Sequence, residues 1–385
     1  MLKENKTIKC FAFYDTLDSK DVRVNNPAAY TKTSYILSCF QRLGYNVEVL
    51  SASRVVGKKA KRGKKRQIDN SITLKTLSSL GRGGKIKNII GKMFFSINLI
   101  FHLLFFVKKG DILWVYHSLA LIRCVEFLKK IKDFNLILEV EEIYGDILNS
   151  EKTVNKELEY FKCADAYIFC TQLLNKCANP DDKPYAVSHG SYMVKKKKDT
   201  DLKDDVIHVV YAGTLNREKG GAYTAVHTGL FLNDKYHLHI LGSSSSADLN
   251  NIKELINEVS SMTKCRVTYD GAIYGEKFSE FLQKCHIGLS TQNPVGKYND
   301  TSFPSKVLVY MANGLRVVSV RIPAIEKSDV GEFMHFYDKP DPESVAKAIK
   351  SIDFSSDYDG RKIIRELDEK FLNDLKILLK DMKNK

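Results

Sequence analysis

The chain has 385 residues, 44% hydrophobic and 28% charged. That length exceeds one comfortable core and fits two domains, and the composition excludes a disordered protein. Lys and Arg outnumber Asp and Glu by 60 to 46, a formal charge of +14, which points to polyanionic partners: phosphorylated ligands, anionic lipid or nucleic acid. The eight scattered cysteines lack CxxC spacing and read as reduced core thiols in a cytosolic setting.

The first residues are polar and basic and run into a strand at 8–14, without the apolar stretch of a secretory signal. A helix is predicted over 27–43, ending at Gly44, then a strand over 46–50. Residues 57–67 follow with seven Lys or Arg in eleven positions, and 89–107 form a strongly apolar run interrupted by Lys92, Ser96, Asn98 and His102. Together the two read first as a membrane-surface pair, an interfacial helix aided by basic charge on anionic headgroups. A buried core helix and a true span are the alternatives for the apolar run, and a solvated loop for the basic one. Strands at 111–116, 136–140 and 166–170 alternate with helices at 119–131 and 155–162.

A mixed-charge stretch at 196–205 reads as a linker, so domain boundaries are expected at 1–195 and 206–359. The second domain alternates strands at 206–212, 236–241, 266–269, 287–290 and 316–320 with helices at 221–230, 249–262, 276–285 and 305–313. Two α/β domains with doubly wound, mostly parallel sheets follow. A helix over 360–385 carries apolar residues at helical spacing, so one of its faces must be covered.

Open parallel sheets bind ligands beyond the carboxyl ends of their strands. The loop after 206–212 holds Gly213, Thr214, Arg217 and Lys219, cations at a helix start fit to grip a diphosphate. Gly242 opens a serine-rich turn after 236–241. The third loop runs through Thr301, Ser302, Pro304, Ser305, Lys306 and Val309, with Ser302 a candidate cap, Pro304 in the first helical turn, and the amides of Ser305 and Lys306 facing an anion. In the first domain Glu139, Glu141, Glu142 and Asp146 follow a strand, and His117, His189 and Asp15 also lie at strand ends, placing them as candidates to orient an acceptor. GxGxxG, GxxxxGK[ST], HExxH and GxSxG are absent.

The segments Gly213 to Gly220 and Phe303 to Ser319 (FPSKVLVYMANGLRVVS) resemble family 4 glycosyltransferases, of the bacterial capsule, O-antigen and exopolysaccharide type. The resemblance implies a GT-B fold: two Rossmann-like domains facing across a cleft, with the C-terminal helix, 360–385, crossing back to the first. It further implies a nucleotide-sugar donor on the second domain and a lipid-linked or oligosaccharide acceptor on the first, with retention of configuration. Lys219 matches the family's diphosphate lysine, whereas Thr214 stands at its arginine, with Arg217 as a substitute. Thr301 and Val309 stand where the family has two glutamates, the second for the nucleotide ribose. The implied catalytic set is Lys219, Arg217, Glu142 and His117, requiring neither cofactor nor metal, in an enzyme peripheral on the inner face of the cell membrane. A non-catalytic membrane-associated partner of a polysaccharide assembly complex is the alternative, and a basic nucleic-acid binder a weaker one, since no nucleic-acid motif accompanies the basic run.

Overall fold

The computed structural model describes residues 6–16, 23–24, 26–198, 204–217 and 220–382. The chain divides into two compact units, Met1–Ser191 with Lys370–Lys385, and Tyr192–Glu369.

The first unit runs β1 (Thr7–Ala12), α1 (Pro27–Arg42), β2 (Asn46–Ser51), β3 (Lys64–Asp69), β4 (Ile72–Thr76), α2 (Lys85–Phe106), β5 (Ile112–Tyr116), α3 (Ile122–Ile131), β6 (Asn135–Val140), α4 (Tyr144–Ile147), α5 (Glu151–Phe161), β7 (Ala166–Phe169), α6 (Gln172–Ala178) and β8 (Tyr185–Val187). Its eight strands are ordered β3-β4-β2-β1-β5-β6-β7-β8, and every pair is parallel except the antiparallel β3 with β4. Central strands such as Ile112–Tyr116, with Leu113, Trp114 and Val115 fully buried, are continuous apolar runs because helices cover both faces.

Part of the basic segment is a strand and not the solvated loop that is its alternative reading: Lys64–Asp69 forms an edge strand whose lysines and Arg66 ride on β4. An edge strand dense in positive charge also resists pairing with another chain. Helix α5 begins four residues earlier than its apolar pattern shows, because the Ser150 hydroxyl caps it by accepting from the Thr153 amide at 3.3 Å. Of the cysteines, Cys177 is exposed and Cys124 and Cys163 half-buried, so not all are core thiols.

The second unit runs β9 (Ile207–Ala212), α7 (Gly221–Thr228), β10 (Tyr236–Leu241), α8 (Ser246–Met262), β11 (Arg266–Gly271), α9 (Gly275–Leu282), β12 (Ile287–Ser290), α10 (Lys306–Ala312), β13 (Arg316–Val320), α11 (Pro323–Glu326), β14 (Met334–Tyr337), α12 (Pro342–Lys350) and the first half of α13 (Gly360–Asp381). Its sheet, β11-β10-β9-β12-β13-β14, is parallel throughout. The order reverses at β9, where ligands of open α/β sheets bind. In the third loop Ser305, not Ser302, is the N-cap residue, and Pro304 precedes the helix. A short 3-10 turn at Lys297–Asp300 holds the Thr301 and Ser302 amides on the Tyr298 carbonyl, which keeps Ser302 away from the cap.

Candidate active site and docking face

The carboxyl ends of β9, β10 and β12 are drawn together around missing side chains. Tyr310, fully buried on α10, accepts from the Ala212 amide at 2.9 Å and rests over Gly288, where any Cβ would collide with its ring. That contact fixes α10 on the sheet and carries its first residue, Lys306, to the end of β9: the ammonium stands 4.4 Å above the centre of the Tyr211 ring. A Cβ on Gly213 would lie 3.1 Å from the Lys306 ammonium and 3.0 Å from the Tyr211 hydroxyl, so glycine there admits the lysine. Gly242, at φ +152°, leaves no room for a Cβ against the Gly213 carbonyl. Thr291, after β12, donates to the Gly221 carbonyl at 2.7 Å and closes the corner. Burial pushes the Tyr211 phenol up to about 12, so it stays a neutral donor, to the Thr214 carbonyl at 3.1 Å.

The structure thus gathers Gly213, Thr214, Gly242 and Lys306. Arg217 is exposed on the same loop, its carbonyl accepting from the Gly220 amide at 3.0 Å, and Lys219 lies outside the described residues. Thr301, Ser302 and Pro304 are half-buried and Ser305 exposed beside α10. Val309, also half-buried, sits one turn beyond Lys306, with its carbonyl taken by Asn313.

At the carboxyl edge of the first sheet the chemistry is acidic. Glu139, on β6 beside Tyr116 of β5, is fully buried, and among the described residues neither carboxylate oxygen has a hydrogen-bond partner. Lys32 reaches in from α1, 3.0 Å from Glu141 and 3.6 Å from Glu139, and donates to the Ser188 carbonyl. One ammonium placed closer to Glu141 cannot hold both carboxylates charged. Burial therefore drives the Glu139 carboxyl well above its usual 4.5, against Lys32 and with Glu141. Burial also raises the Tyr116 phenol, helped by both glutamates.

The other first-unit candidates have partners. His117 Nε2 meets Glu157 at 2.7 Å, and Glu157 also accepts from the Tyr144 and Gly145 amides, so this buried pair ties β5 to the turn before α5. His189 Nδ1 is 2.7 Å from the Cys170 carbonyl. Asp15 is engaged by Arg66 from β3 and lies 3.8 Å from Arg23, which makes it an anchor for the basic strand. Glu142 and Asp146 are half-buried around α4. Lys32 and Tyr116 escaped the sequence reading. The signal for Lys32 was its place on the buried stripe of α1 with Tyr35, Ile36 and Cys39.

Helix α2 has two apolar faces. Gly91, Phe95, Leu99 and Leu103 form the buried stripe. On the other side Ile86, Ile90, Ile97, Phe101 and Phe105 are each more than half exposed, with Phe94 beside them. Its C-terminal carbonyls are held by Lys9 at Phe106 and by Lys132 at Leu104 and Val107, which suits the negative end of the helix dipole. Arg82 donates its amide to the Gly57 carbonyl, and Lys61 pairs with Ser79, so the basic segment adjoins the start of α2.

Residues 207–352 match the family model described as glycosyl transferases group 1. No curated protein matches the sequence. Among solved structures, sucrose-phosphate synthase from Thermosynechococcus elongatus is similar at TM-score 0.71 and 14% identity, over 98% of this chain and 99% of that one. The structure described as trehalose-6-phosphate from E. coli bound with UDP-2-fluoro glucose is similar at 0.68 and 12%, over 97% and 99%. An alpha,alpha-trehalose 6-phosphate synthase from Burkholderia multivorans reaches 0.68 at 9%, over 98% and 96%. The fold is GT-B, two Rossmann-like α/β parallel-sheet domains. With a group 1 glycosyltransferase domain in its second unit, the chain is a glycosyltransferase.

Proposed function

We propose that this enzyme moves a sugar from a nucleoside-diphosphate sugar, held by the second unit, to a lipid-linked glycan acceptor engaged by the first, in the synthesis of a bacterial surface polysaccharide. The observation that carries the donor side is the corner of Gly213, Gly242 and Lys306 at the reversal of the strand order. Glycine lets backbone and ammonium stand close together, a setting for a diphosphate whose charge grows as the sugar leaves. Lys219 and Arg217 follow on the same loop and add cations. The similar E. coli structure, described as bound with UDP-2-fluoro glucose, supports a donor of this class. Transfer proceeds with retention, the acceptor attacking from the face the diphosphate leaves, and Glu141, half-buried and held by Lys32 at 3.0 Å, orients its hydroxyl.

The exposed face of α2 supports the lipid side. Between Arg54 and Lys109 there are fifteen Lys or Arg against one Asp, so this stretch holds the chain's whole net charge of +14 and the remainder balances at 45 to 45. An apolar helix face flanked by that charge fits an anionic bilayer, lying in its surface because the opposite stripe is packed on the unit's own core. This supports a peripheral position on the inner face of the cell membrane.

The test is thermal melting of the purified chain with UDP, GDP, CMP and dTDP compounds. One nucleotide class should raise the melting temperature, since a ligand at 100 times its Kd adds about 2.7 kcal/mol. Stabilisation by none of them rejects the donor reading.

A further inference from the structure

At the end of the second sheet away from the donor corner, three histidines converge. His208 is the second residue of β9, and His237 and His239 are the second and fourth of β10. Parallel register pairs His208 with His237, so all three side chains lie on one face. None is more than 7% exposed. His208 Nδ1 faces His239 Nε2 at 2.8 Å, the His237 and His239 rings are 3.8 Å apart, and one ligand nitrogen from each of the three falls within 4.8 Å of the others.

The outer contacts set the tautomers. His239 Nδ1 lies 3.2 Å from Asp270, and His208 Nε2 lies 3.3 Å from Asp204. A carboxylate only accepts, so each ring places its single N–H outward and leaves a lone pair on its inner nitrogen. Two lone pairs then meet at 2.8 Å, which is repulsive unless a cation or an added proton stands between them. Asp270 is itself fixed by the Thr268 hydroxyl at 2.9 Å, and the Thr268 oxygen meets His237 Nε2 at 3.0 Å. Imidazoles with their N–H groups turned outward onto carboxylates, Asp270 among them held by Thr268, are what a transition-metal centre asks of its ligands and of the groups behind them.

We infer that His208, His237 and His239 bind one divalent transition metal of the imidazole-preferring class, zinc foremost, as a clamp across β9 and β10. The site is separate from the donor corner, and its role is structural. It stands whether or not the donor reading does.

The test uses the full chain without a histidine tag, stripped by chelator and titrated with Zn2+ and with Co2+ as a spectroscopic stand-in. The expected result is one metal per chain, a rise in melting temperature reversed by chelator, and the visible absorption of four-coordinate Co2+. His239→Gln should abolish that absorption, and His102→Gln, in the other unit, should leave it intact. Asp270→Asn keeps all three rings and should weaken the metal 10- to 100-fold, roughly the effect of losing a partner behind a ligand. If His239→Gln fails to fold, the wild-type titration and Asp270→Asn decide. A wild-type chain that neither binds nor is stabilised by Zn2+ overturns the site, as does a Co2+ spectrum unchanged in His239→Gln or Asp270→Asn.

Discussion

The two sheets end in opposite chemistry. The first unit buries Glu139 near Glu141, with the Lys32 ammonium 3.6 and 3.0 Å from them. The second offers glycine backbone and the Lys306 ammonium over Tyr211. Two sheets of mostly parallel strands thus carry an acidic edge in one unit and a glycine-and-lysine edge in the other. The difference lies in which side chains occupy the loops after the strands, not in the strands themselves.

Gly242→Ala should cost about 3 kcal/mol or more of stability, from a strained φ and a collision with the Gly213 carbonyl, and should abolish nucleotide binding. Chemical denaturation checks it, and a variant as stable as wild type would show that the loops are not pinned there. Lys306→Ala should lower kcat by about 10²- to 10³-fold with the fold intact, the usual scale for removing one preorganised charge from a leaving group. Unchanged turnover removes Lys306 from the donor site.

For the first unit, changing Phe94, Phe101 and Phe105 together to Ser should weaken binding to anionic vesicles about 100-fold, from roughly 1 kcal/mol per partly inserted ring. Flotation with vesicles measures this, and because the three rings lie off the buried stripe, the melting temperature should hold. A large fall in melting temperature would make the face part of the core. The smallest effect sharpens the acidic edge. With its carboxyl raised by burial, Glu139 contributes stability at low pH that is lost as pH rises above about 4.5, where the unfolded chain releases the proton first. Glu139→Gln removes that slope, so its margin over wild type should grow with pH in a series of melting curves. A constant margin would mean that Glu139 is ionised throughout.

Much of this was legible in the sequence. Runs such as Ile-His-Val-Val-Tyr-Ala (Ile207–Ala212) announce buried parallel strands, and the glycines at 213 and 242 mark the turns that follow. Strand β3 was not legible, because Lys-Lys-Arg-Gln-Ile-Asp has no apolar alternation and is ordered by pairing with β4. The partners of Asp15 and His117 were hidden for a related reason: Arg66 and Glu157 are 51 and 40 residues away in the chain, and only the fold joins them. The histidine cluster was half visible in the alternating His237 and His239, but its third member depends on strand register.

The last helix sets an order on synthesis. Phe371, Leu375, Leu378, Leu379 and Met382 are buried as part of the first unit, with the Phe371 ring 5.9 Å from that of Tyr35 on α1. A ribosome makes the strands of that unit first, yet the residues that close its core emerge only after the whole second unit has been made. Domains usually fold as units, in the order they are made. Here the earlier-made domain must wait with an apolar seam uncovered while the later one can finish, so the first domain begun is the last completed. Nascent-chain proteolysis should find the strands of the first unit, β1 to β8, protected only once the segment through Met382 has cleared the exit tunnel.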